Sequence, residues 1–473
     1  MSEFGRILIA GTNSGSGKTT ITVALIAALK ARGVPIASFK CGPDYIDPMF
    51  HRRALGVPSH NLDPFFCPPN RLRTLLSEQG AASLSIIEGV MGYFDGLGTT
   101  SQHSSYDVAR STGTPVVLVV NAKGMAASLG ALLQGFTAFR EQSGIAGVIL
   151  NQVPARMAGF FEPIIQESGL IPLGCFPKSD SIDLPSRNLG LVTADEIHDI
   201  EQVITELAQI AADSIDLAAF LHLAASATPL DPFSPTEATP NTPLPKIRIA
   251  VAKDAAFCFI YAETLELWEK LGAEIVFFSP IEDHALPADI SGLYLPGGYP
   301  ENHLPALSKN SSLLSEVKSR IESGLPTIAE CGGFMYLHDT VDGHHLVGAI
   351  EADSWQTSRL VRFGYTTLTA EFDNLLCAAG EKLPVHEFHY CESSDPGSDF
   401  LAVKASTGAS YPAVHASKTL YGGFPHLYLP AIPAAAERFI SKARQYHQAQ
   451  RELRTTLENS EFSGPISEAM DQL

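Results

Sequence analysis

Two kinds of hydrophobic pattern alternate along the first 205 residues of the chain. Short apolar runs are followed by longer stretches with helical periodicity, as in a parallel sheet that is covered by helices. The predicted strands are Arg6–Ala10, Val34–Phe39, Leu84–Ile87, Pro115–Val120 and Ala146–Leu150. The predicted helices are Lys18–Ala31, with Gly33 as its C-terminal cap, and Met125–Glu141. The pattern therefore predicts an α/β domain.

A second α/β domain is predicted after a change in composition. Residues 225–245 are rich in Ala, Thr, Ser and Pro, which is typical of an interdomain linker. Apolar strands are predicted again at Ile247–Val251, Glu274–Phe278, Gly292–Leu295 and Pro326–Ala329. We therefore expect a first domain at 1–224, a linker at 225–245, a second domain at 246–440 and a polar C-terminal tail at 441–473.

Composition and charge narrow the class of protein. With 45% hydrophobic and 18% charged residues, the chain has the composition of a globular enzyme and not of a disordered protein. The formal charge of −19 argues against nucleic acid or an anionic membrane as a partner. No apolar run approaches the ~20 residues of a spanning helix, and no signal-peptide pattern is present, so we expect a cytoplasmic protein. A homodimer is compatible with the sequence, which leaves the oligomeric state open.

A glycine-rich loop connects the first predicted strand to the first predicted helix. The segment TNSGSGKTT (12–20) fits the phosphate-loop pattern G-x-x-x-x-G-K-[ST], except that Thr12 replaces the first glycine. Its backbone N–H groups would hold phosphates, Lys18 would reach the β and γ oxygens, and the Thr19 hydroxyl would coordinate Mg²⁺. An ordinary turn is the alternative, but the strand-loop-helix context favours ATP binding. The residues assigned to the nucleotide are Ser14, Gly15, Gly17, Lys18, Thr19 and Thr20.

Charged residues follow the second predicted strand, at the edge of the sheet where ligands bind in open parallel sheets. Asp44 and Asp47 are spaced to bind Mg²⁺ through oxygen. Nearby cationic groups could contact phosphate or substrate carboxylates. These are Lys40, His51, Arg52 and Arg53. The alternative is a solvated loop with helix-capping aspartates.

The third predicted strand is followed directly by Glu88. Nucleoside triphosphatases keep a metal-binding carboxylate at this position, so Glu88 joins Thr19 and the two aspartates as a predicted metal ligand. A capping role for Glu88 is the alternative. Asn151 ends a later strand with an amide that could read a purine edge.

In the second domain, the segment PTIAECGG (326–333) indicates a short strand that turns sharply into a helix. This is a nucleophile elbow around Cys331, in which Gly332 and Gly333 tolerate the strained turn and the helix N-terminus would lower the pKa of the thiol. The backbone N–H groups of Gly298 and Gly332 could form an oxyanion hole. His426, late in the domain, would take the thiol proton and later protonate the leaving ammonia. A buried packing cysteine and a hydrogen-bonded core histidine are the alternatives.

These motifs, in this order, resemble the family of cobyrinate and hydrogenobyrinate a,c-diamide synthases. The likeness covers almost all of residues 4–440. Its most specific stretches are KCGPDYIDPMFH (40–51), EGVMGYFDG (88–96), FFSPIED (277–283), LPGGYPE (295–301), AECGGFMYL (329–337) and HEFHY (386–390). The resemblance implies an N-terminal phosphate-loop NTPase domain similar to dethiobiotin synthetase and a C-terminal class I glutamine amidotransferase domain.

The resemblance also implies an activity. The family amidates the a and c acetate side chains of a corrin precursor with ATP, Mg²⁺ and glutamine or ammonia, through acyl phosphates. By this likeness, three carboxylates serve metal binding and phosphoryl transfer, and Asp95 lies in the substrate loop. Cys331 matches the nucleophile and His426 the residue that activates it. The three carboxylates are Asp44, Asp47 and Glu88.

Two positions depart from related enzymes. Most class I glutaminases have a Glu two residues after the base, where this chain has Tyr428. This resembles the cobalamin branch, which works with a Cys-His pair. Asn188 replaces a His that is usual in its loop, Arg187 to Leu191, to which we assign no role.

Several substrates and one different class of function stay open. Hydrogenobyrinate and nickel sirohydrochlorin are alternative substrates, whereas the stretches NLDPFF (61–66) and SWQTSRLVRFGY (354–365) favour cobyrinate. The other class is a partitioning or metal-delivery ATPase with a catalytically dead amidotransferase domain. The intact Cys331 and His426 argue against that class.

Overall fold

A computed structural model describes residues 5–178, 186–187, 190–191, 199–230 and 246–462, and only the backbone at 186–187, 190–191 and 457–462. The chain divides into two compact units, Met1–Thr236 and Glu237–Leu473. Most of the predicted linker and Asn188 lie outside the described residues, and the exact domain limits stay predictions. Among the described helices, none combines the length and apolar character that crossing a membrane requires.

The first unit is built on a seven-stranded parallel sheet with the strand order β3-β2-β4-β1-β5-β6-β7. The central strands β1, β4 and β5 are apolar because helices cover both faces of the sheet. Two further short strands, β8 and β9, pair with each other. The strands are β1 (Arg6–Gly11), β2 (Ile36–Cys41), β3 (Ser59–Leu62), β4 (Leu84–Glu88), β5 (Val116–Asn121), β6 (Ile145–Asn151), β7 (Ile171–Phe176), β8 (Ser186–Arg187) and β9 (Gly190–Leu191).

The first helix of this unit has the predicted bounds, and ten of its fourteen residues are buried. The second helix predicted from the sequence is shorter than expected, at Ser128–Ala138. The helices are α1 (Lys18–Ala31), α2 (Ile46–Ala54), α3 (Pro69–Gln79), α4 (Ser105–Thr112), α5 (Ser128–Ala138), α6 (Ala158–Glu167), α7 (Ile200–Ser214) and α8 (Leu217–Ala225). Helix α1 follows β1 directly, so the glycine-rich loop lies at the carboxyl end of a central strand.

The second unit has a six-stranded central sheet in the order β12-β10-β13-β15-β25-β24, parallel except for β24. Strand β15 lies between β13 and β25, and the nucleophile elbow follows it. The strands and helices up to the elbow are β10 (Ile247–Ala252), β11 (Phe257–Phe259), α9 (Ala262–Lys270), β12 (Ala273–Phe278), β13 (Gly292–Leu295), β14 (Gly297–Gly298), α10 (Leu304–Leu307), α11 (Ser311–Glu322), β15 (Thr327–Glu330) and α12 (Gly332–Tyr336).

Two further sheets, one antiparallel and one mixed, occupy much of the rest of the second unit and were not predicted from the sequence. One has the order β23-β22-β19-β20-β26 and another β17-β16-β18-β21. The elements are β16 (His338–Val341), β17 (His344–His345), β18 (Ile350–Gln356), β19 (Arg362–Ala370), β20 (Lys382–His389), β21 (Cys391–Ser393), β22 (Phe400–Lys404), β23 (Ser410–Ala413), β24 (His415–Ala416), β25 (Leu420–Gly423), β26 (His426–Leu427) and α13 (Pro433–Phe462). Helix α13 buries Phe439, Ile440 and Ala443, so part of the predicted tail belongs to the core.

Candidate active sites

The phosphate loop has the backbone that anion binding requires. Gly15 and Gly17 have φ values of 77° and 97°, which residues with a Cβ rarely adopt. The Lys18 ammonium donates hydrogen bonds to the carbonyls of Asn13 at 3.2 Å and Met91 at 2.5 Å. Burial, with the nearby Lys40 ammonium second, lowers the pKa of Lys18 to about 8. The loop thus holds Lys18 close to the backbone groups that would receive phosphates.

The side chain of Asn151 holds the phosphate loop by a hydrogen bond to its backbone. Its Nδ2 donates a hydrogen bond to the carbonyl of Ser16 at 2.8 Å. A Cβ added to Gly17 would lie 2.0 Å from the same nitrogen, so the contact is close. The structure thus gives Asn151 a role in holding the loop, and the suggestion that its amide reads a purine edge stays a prediction.

Thr19 and Glu88 form the part of this site that best fits a metal ion. The Thr19 hydroxyl donates a hydrogen bond to Glu88 Oε1 at 2.6 Å. Glu88 is fully buried, and burial raises its pKa to about 7. Within the described residues, Glu88 Oε2 accepts no hydrogen bond, and His51 Nε2 faces it at 3.5 Å. A hydroxyl beside a buried carboxylate with spare acceptor capacity matches the oxygen ligands that Mg²⁺ prefers.

Lys40 lies between two of the predicted metal ligands. Its ammonium forms a buried ion pair with Asp47 and a second one with Glu88 at 2.8 Å. Burial opposes the charge on Lys40, but the two carboxylates raise its pKa well above the ordinary value. In the described part of the chain, no group of three or more His, Cys, Asp or Glu side chains is arranged to hold a metal. Asp47 and Glu88 are thus bridged by a cation that belongs to the chain itself.

Asp44 has the capping geometry that the sequence left as an alternative. Its Oδ1 accepts hydrogen bonds from the backbone N–H groups of Ile46 at 2.9 Å and Asp47 at 3.0 Å, at the start of α2. Burial and the neighbouring Asp47 raise the pKa of Asp44 to about 6. Asn61, which the sequence reading missed, donates to the carbonyls of Gly42 and Asp44 and fixes the same loop. A metal-binding role for Asp44 stays a prediction.

The predicted substrate contacts of Lys40 and His51 are not supported by their positions. Lys40 is 5% exposed and His51 is fully buried, so neither offers its charge to a ligand at the surface. His51 Nδ1 lies 2.6 Å from Ser38 Oγ, and burial lowers the His51 pKa to about 4, which keeps the ring neutral. Arg52 is partly exposed and donates to the Ser59 carbonyl at 2.6 Å.

Asp95 lies beside a cavity next to the phosphate loop. The cavity has a volume of about 440 Å³ and is lined by Thr12, Asp95 and an aromatic group that includes Phe94, Phe136 and Phe139. Asp95 is exposed, and its Oδ2 accepts a hydrogen bond from the Gly92 N–H at 2.9 Å. This position is compatible with the predicted substrate loop.

The second unit holds Cys331 at a sharp turn between β15 and α12. Its backbone has φ 48° and ψ −105°, which is unfavourable for a residue with a side chain. The Cys331 N–H donates to the Gly423 carbonyl at 2.8 Å. A Cβ at Gly333 would lie 2.0 Å from the Leu295 carbonyl oxygen, so this position requires glycine. The predicted nucleophile elbow is therefore present in the geometry.

The other predicted groups of this site converge on the same turn. A Cβ built on Gly297 would lie 2.5 Å from His426 Cε1 and 3.4 Å from Cys331 Cβ, so both side chains flank this glycine. A Cβ built on Gly332 would lie 3.1 Å from the Gly298 nitrogen. The two predicted oxyanion donors, Gly298 and Gly332, are thus neighbours.

Burial outweighs the effect of the Gly332 N–H at the helix N-terminus, which lowers the pKa of the Cys331 thiol as predicted, so the predicted net lowering is not found. Helix α12 has only five residues, and burial, followed by Cys391 and Glu301, raises the pKa of Cys331 well above its ordinary value. The resting group is a thiol, so its reaction with an amide requires a base to take the proton. His426, which flanks the same glycine as Cys331, stays the predicted base.

Comparisons with known proteins agree with the two units. Residues 7–191 match the CobQ/CobB/MinD/ParA nucleotide binding domain, and residues 248–431 match the CobB/CobQ-like glutamine amidotransferase domain. These matches define a protein that joins an ATP-using nucleotide-binding domain to a glutamine amidotransferase domain.

Three curated relatives cover most of the chain. The cobyrinate a,c-diamide synthase of Thermoplasma volcanium is 39% identical over 81% of this chain and 85% of its own. The cobyrinate a,c-diamide synthase of Priestia megaterium is 34% identical over 94% of this chain and 99% of its own. The hydrogenobyrinate a,c-diamide synthase of Mycobacterium tuberculosis is 36% identical over 92% of this chain and 97% of its own. The chain belongs to the cobyrinate and hydrogenobyrinate a,c-diamide synthase family.

Proposed function

We propose that this chain amidates the a and c acetate carboxylates of cobyrinate, with ATP for activation and glutamine or ammonia as the nitrogen donor. The observation that carries the proposal is the presence of two distinct sites on one chain. In the first unit, Thr19 of the phosphate-loop segment donates a hydrogen bond to Glu88. In the second unit, Cys331 and His426 flank Gly297. Hydrogenobyrinate and nickel sirohydrochlorin stay alternative substrates.

Each amidation consists of two transfers. A substrate carboxylate oxygen attacks the γ-phosphorus of ATP, ADP leaves, and an acyl phosphate forms. The nitrogen of ammonia then attacks the acyl carbon, inorganic phosphate leaves, and the amide results. Lys18 would stabilise the charge on the phosphate oxygens.

Thr19 and Glu88 would hold Mg²⁺ beside the phosphate loop. When bound, the ion would neutralise charge on the phosphate oxygens. Glu88 Oε2 provides the acceptor for this role, and the Thr19 hydroxyl lies next to the same carboxylate. Asp44 and Asp47 stay predicted contributors.

Ammonia is released at the second site. The Cys331 sulfur attacks the side-chain amide carbon of glutamine while His426 accepts the thiol proton. The backbone N–H groups of Gly298 and Gly332 would stabilise the oxyanion, and His426 returns the proton to the leaving ammonia. Water then hydrolyses the thioester to glutamate.

Two variants test the separation of the sites. Cys331→Ala should abolish glutamine-dependent amidation and keep synthesis with ammonium salts, because only ammonia release requires the thiol. Lys18→Ala should remove synthesis with both nitrogen sources. Loss of both activities in Cys331→Ala, or ammonia-dependent synthesis in Lys18→Ala, would contradict the two-site proposal.

The substrate and the competing class are tested separately. Mass spectrometry of products formed from cobyrinate, hydrogenobyrinate and nickel sirohydrochlorin, offered in parallel, should show two added amide groups, with cobyrinate preferred. A partitioning or metal-delivery ATPase would hydrolyse ATP but show no glutaminase activity. A homodimer and a cytoplasmic location stay predictions.

A further inference from the structure

The acid that orients the catalytic histidine is absent from its usual place along this chain. Tyr428 occupies the position two residues after His426. It is 1% exposed and packs edge-on against Tyr261, with ring centroids 5.0 Å apart. A phenol at this position carries no negative charge at neutral pH, so it cannot stabilise a histidine cation as a carboxylate does.

A carboxylate reaches His426 from a different strand. Glu330 is the last residue of β15 and immediately precedes Cys331. Its Oε2 lies 3.7 Å from His426 Nδ1, within ion-pair distance, and both residues are 2% exposed. In a buried site, a carboxylate this close to an imidazole favours the protonated ring.

Hydrogen bonds hold the Glu330 carboxylate in this position. Its Oε1 accepts from the backbone N–H of Leu427, the residue that follows His426, at 3.2 Å. Its Oε2 accepts from the Tyr294 hydroxyl at 3.1 Å. One oxygen is therefore fixed to the strand that carries the histidine, and the other is directed toward the ring.

We infer that Glu330 is the positioning residue of the glutaminase site: it orients the His426 ring and stabilises the imidazolium that forms when Cys331 gives up its proton. The nucleophile elbow thus supplies two consecutive residues to the reaction, one that attacks and one that supports the base. This inference rests on the proposed roles of Cys331 and His426.

A second titratable group faces His426 and is neutral. His386 lies opposite His426 in the antiparallel pairing of β20 and β26. Burial, followed by the charge of His426, lowers the His386 pKa to about 3. Glu330 therefore supplies the negative charge beside His426, and Cys331 acquires one during the reaction.

The test is the substitution Glu330→Gln in the full-length enzyme. The amide oxygen can still accept from the Leu427 N–H, so a purely structural role would survive, whereas the charge is lost. We expect the glutaminase kcat to fall about 10²-fold or more, the scale of general acid–base catalysis. Synthesis with ammonium salts, and its KM for ammonia, should be unchanged.

The pH profile gives a second readout. His426 must be neutral to accept the thiol proton, and loss of the carboxylate makes its protonated form less stable, so the acidic limb of kcat/KM for glutamine should move about one pH unit or more to lower pH. Glu330→Asp keeps the charge and should recover part of the glutaminase activity. Glu330→Asp also controls for a loss of stability in Glu330→Gln. The activities of the two variants can be compared at a temperature at which both are equally folded.

A matched control is available in the same unit. Glu387 is also 2% exposed and lies 3.3 Å from His389, but that pair belongs to a separate cluster with Tyr411. Glu387→Gln should keep the glutaminase kcat and pH profile of the unaltered enzyme. Wild-type kcat and pH profile in Glu330→Gln, or equal losses in the Gln and Asp variants of Glu330 with an unshifted profile, would overturn the inference.

The inference and the proposed function fail in different ways. Cys331→Ala and His426→Ala should both abolish glutaminase activity. If either variant keeps it, the proposed site itself is wrong, whatever Glu330 does. If both lose it and only Glu330→Gln is unaffected, the role of Glu330 alone is rejected.

Discussion

Lys40 and Glu88 are register partners on the neighbouring parallel strands β2 and β4, and their side chains form an ion pair of 2.8 Å in the buried interior of the first unit. The same ammonium also pairs with Asp47. Because the two carboxylates are buried, each depends on this cation for its charged state. Lys40 is thus the electrostatic centre of the predicted phosphoryl-transfer site.

Replacing Lys40 should destabilise the first unit strongly. Lys40→Met leaves Asp47 and Glu88 buried without their cation, and breaking such a buried pair typically costs about 3–5 kcal/mol. Denaturant unfolding measures the change. As a control, Arg110→Met removes an exposed partner of Asp107 and should cost at most about 1 kcal/mol. Adding Glu88→Gln to Lys40→Met should recover part of the loss; no recovery would refute the coupling.

Glu88→Gln should impair synthesis with either nitrogen source and leave glutaminase activity in place. Loss of a metal-binding carboxylate removes several kcal/mol of transition-state stabilisation, so we expect a fall of about 10²-fold or more. The assay compares ADP formation over a range of Mg²⁺ concentrations, and high Mg²⁺ should restore part of the rate. Glu78→Gln, an exposed change in α3, should have no effect. An unchanged Mg²⁺ dependence in Glu88→Gln would remove Glu88 from the metal site.

The affinity for ATP should fall as the pH rises through about 8. Burial lowers the pKa of Lys18 to about 8, so the ammonium is present below that pH and is lost above it. Equilibrium binding of ATP at fixed Mg²⁺ should weaken several-fold between about pH 7 and pH 9. Lys18→Arg keeps its charge over this range and should show a flat pH profile, even with weaker binding. An equally steep profile in the arginine variant would assign the titration to another group.

Gly297→Ala should abolish glutaminase activity and spare ammonia-dependent synthesis. The added methyl group would lie 2.5 Å from His426 Cε1, a distance that forces the ring to move. Steady-state rates with glutamine and with ammonium salts separate the two effects. Gly159→Ala is the control, since an added Cβ there has no atom within 4 Å. Normal glutamine turnover in Gly297→Ala would show that His426 tolerates displacement.

The phosphate loop and the nucleophile elbow could be predicted because each is encoded by adjacent residues. A strand, a glycine-rich turn and a helix follow one another around Lys18, and α1 has the predicted bounds. The same holds for Cys331, where two glycines follow the nucleophile directly in the sequence. The backbone conformation of each motif depends on residues that are adjacent in the sequence. Both motifs can therefore be recognised from the sequence alone.

Other parts depend on contacts between residues distant in sequence. Strand β3 has the polar sequence SHNL, yet all four residues are buried, and Asn61 is satisfied by the carbonyls of a loop nearly twenty residues away. The burial of Lys40 and His51 is likewise set by the strands around them, so the sequence could not show that these two basic residues lie in the interior while Arg52 and Arg53 remain partly or fully exposed. Glu330 was missed because its partner, His426, is 96 positions later in the chain.

The backbone at Cys331 places activity in opposition to fold stability. A non-glycine residue in an unfavourable φ/ψ region costs on the order of 1–3 kcal/mol, whereas glycine would adopt φ 48° with little strain. Glycine, which has no thiol, is therefore the residue with the least backbone strain at this turn. An unselected copy of this gene could gain stability by losing its ammonia source, and it would then depend on free ammonia for nitrogen.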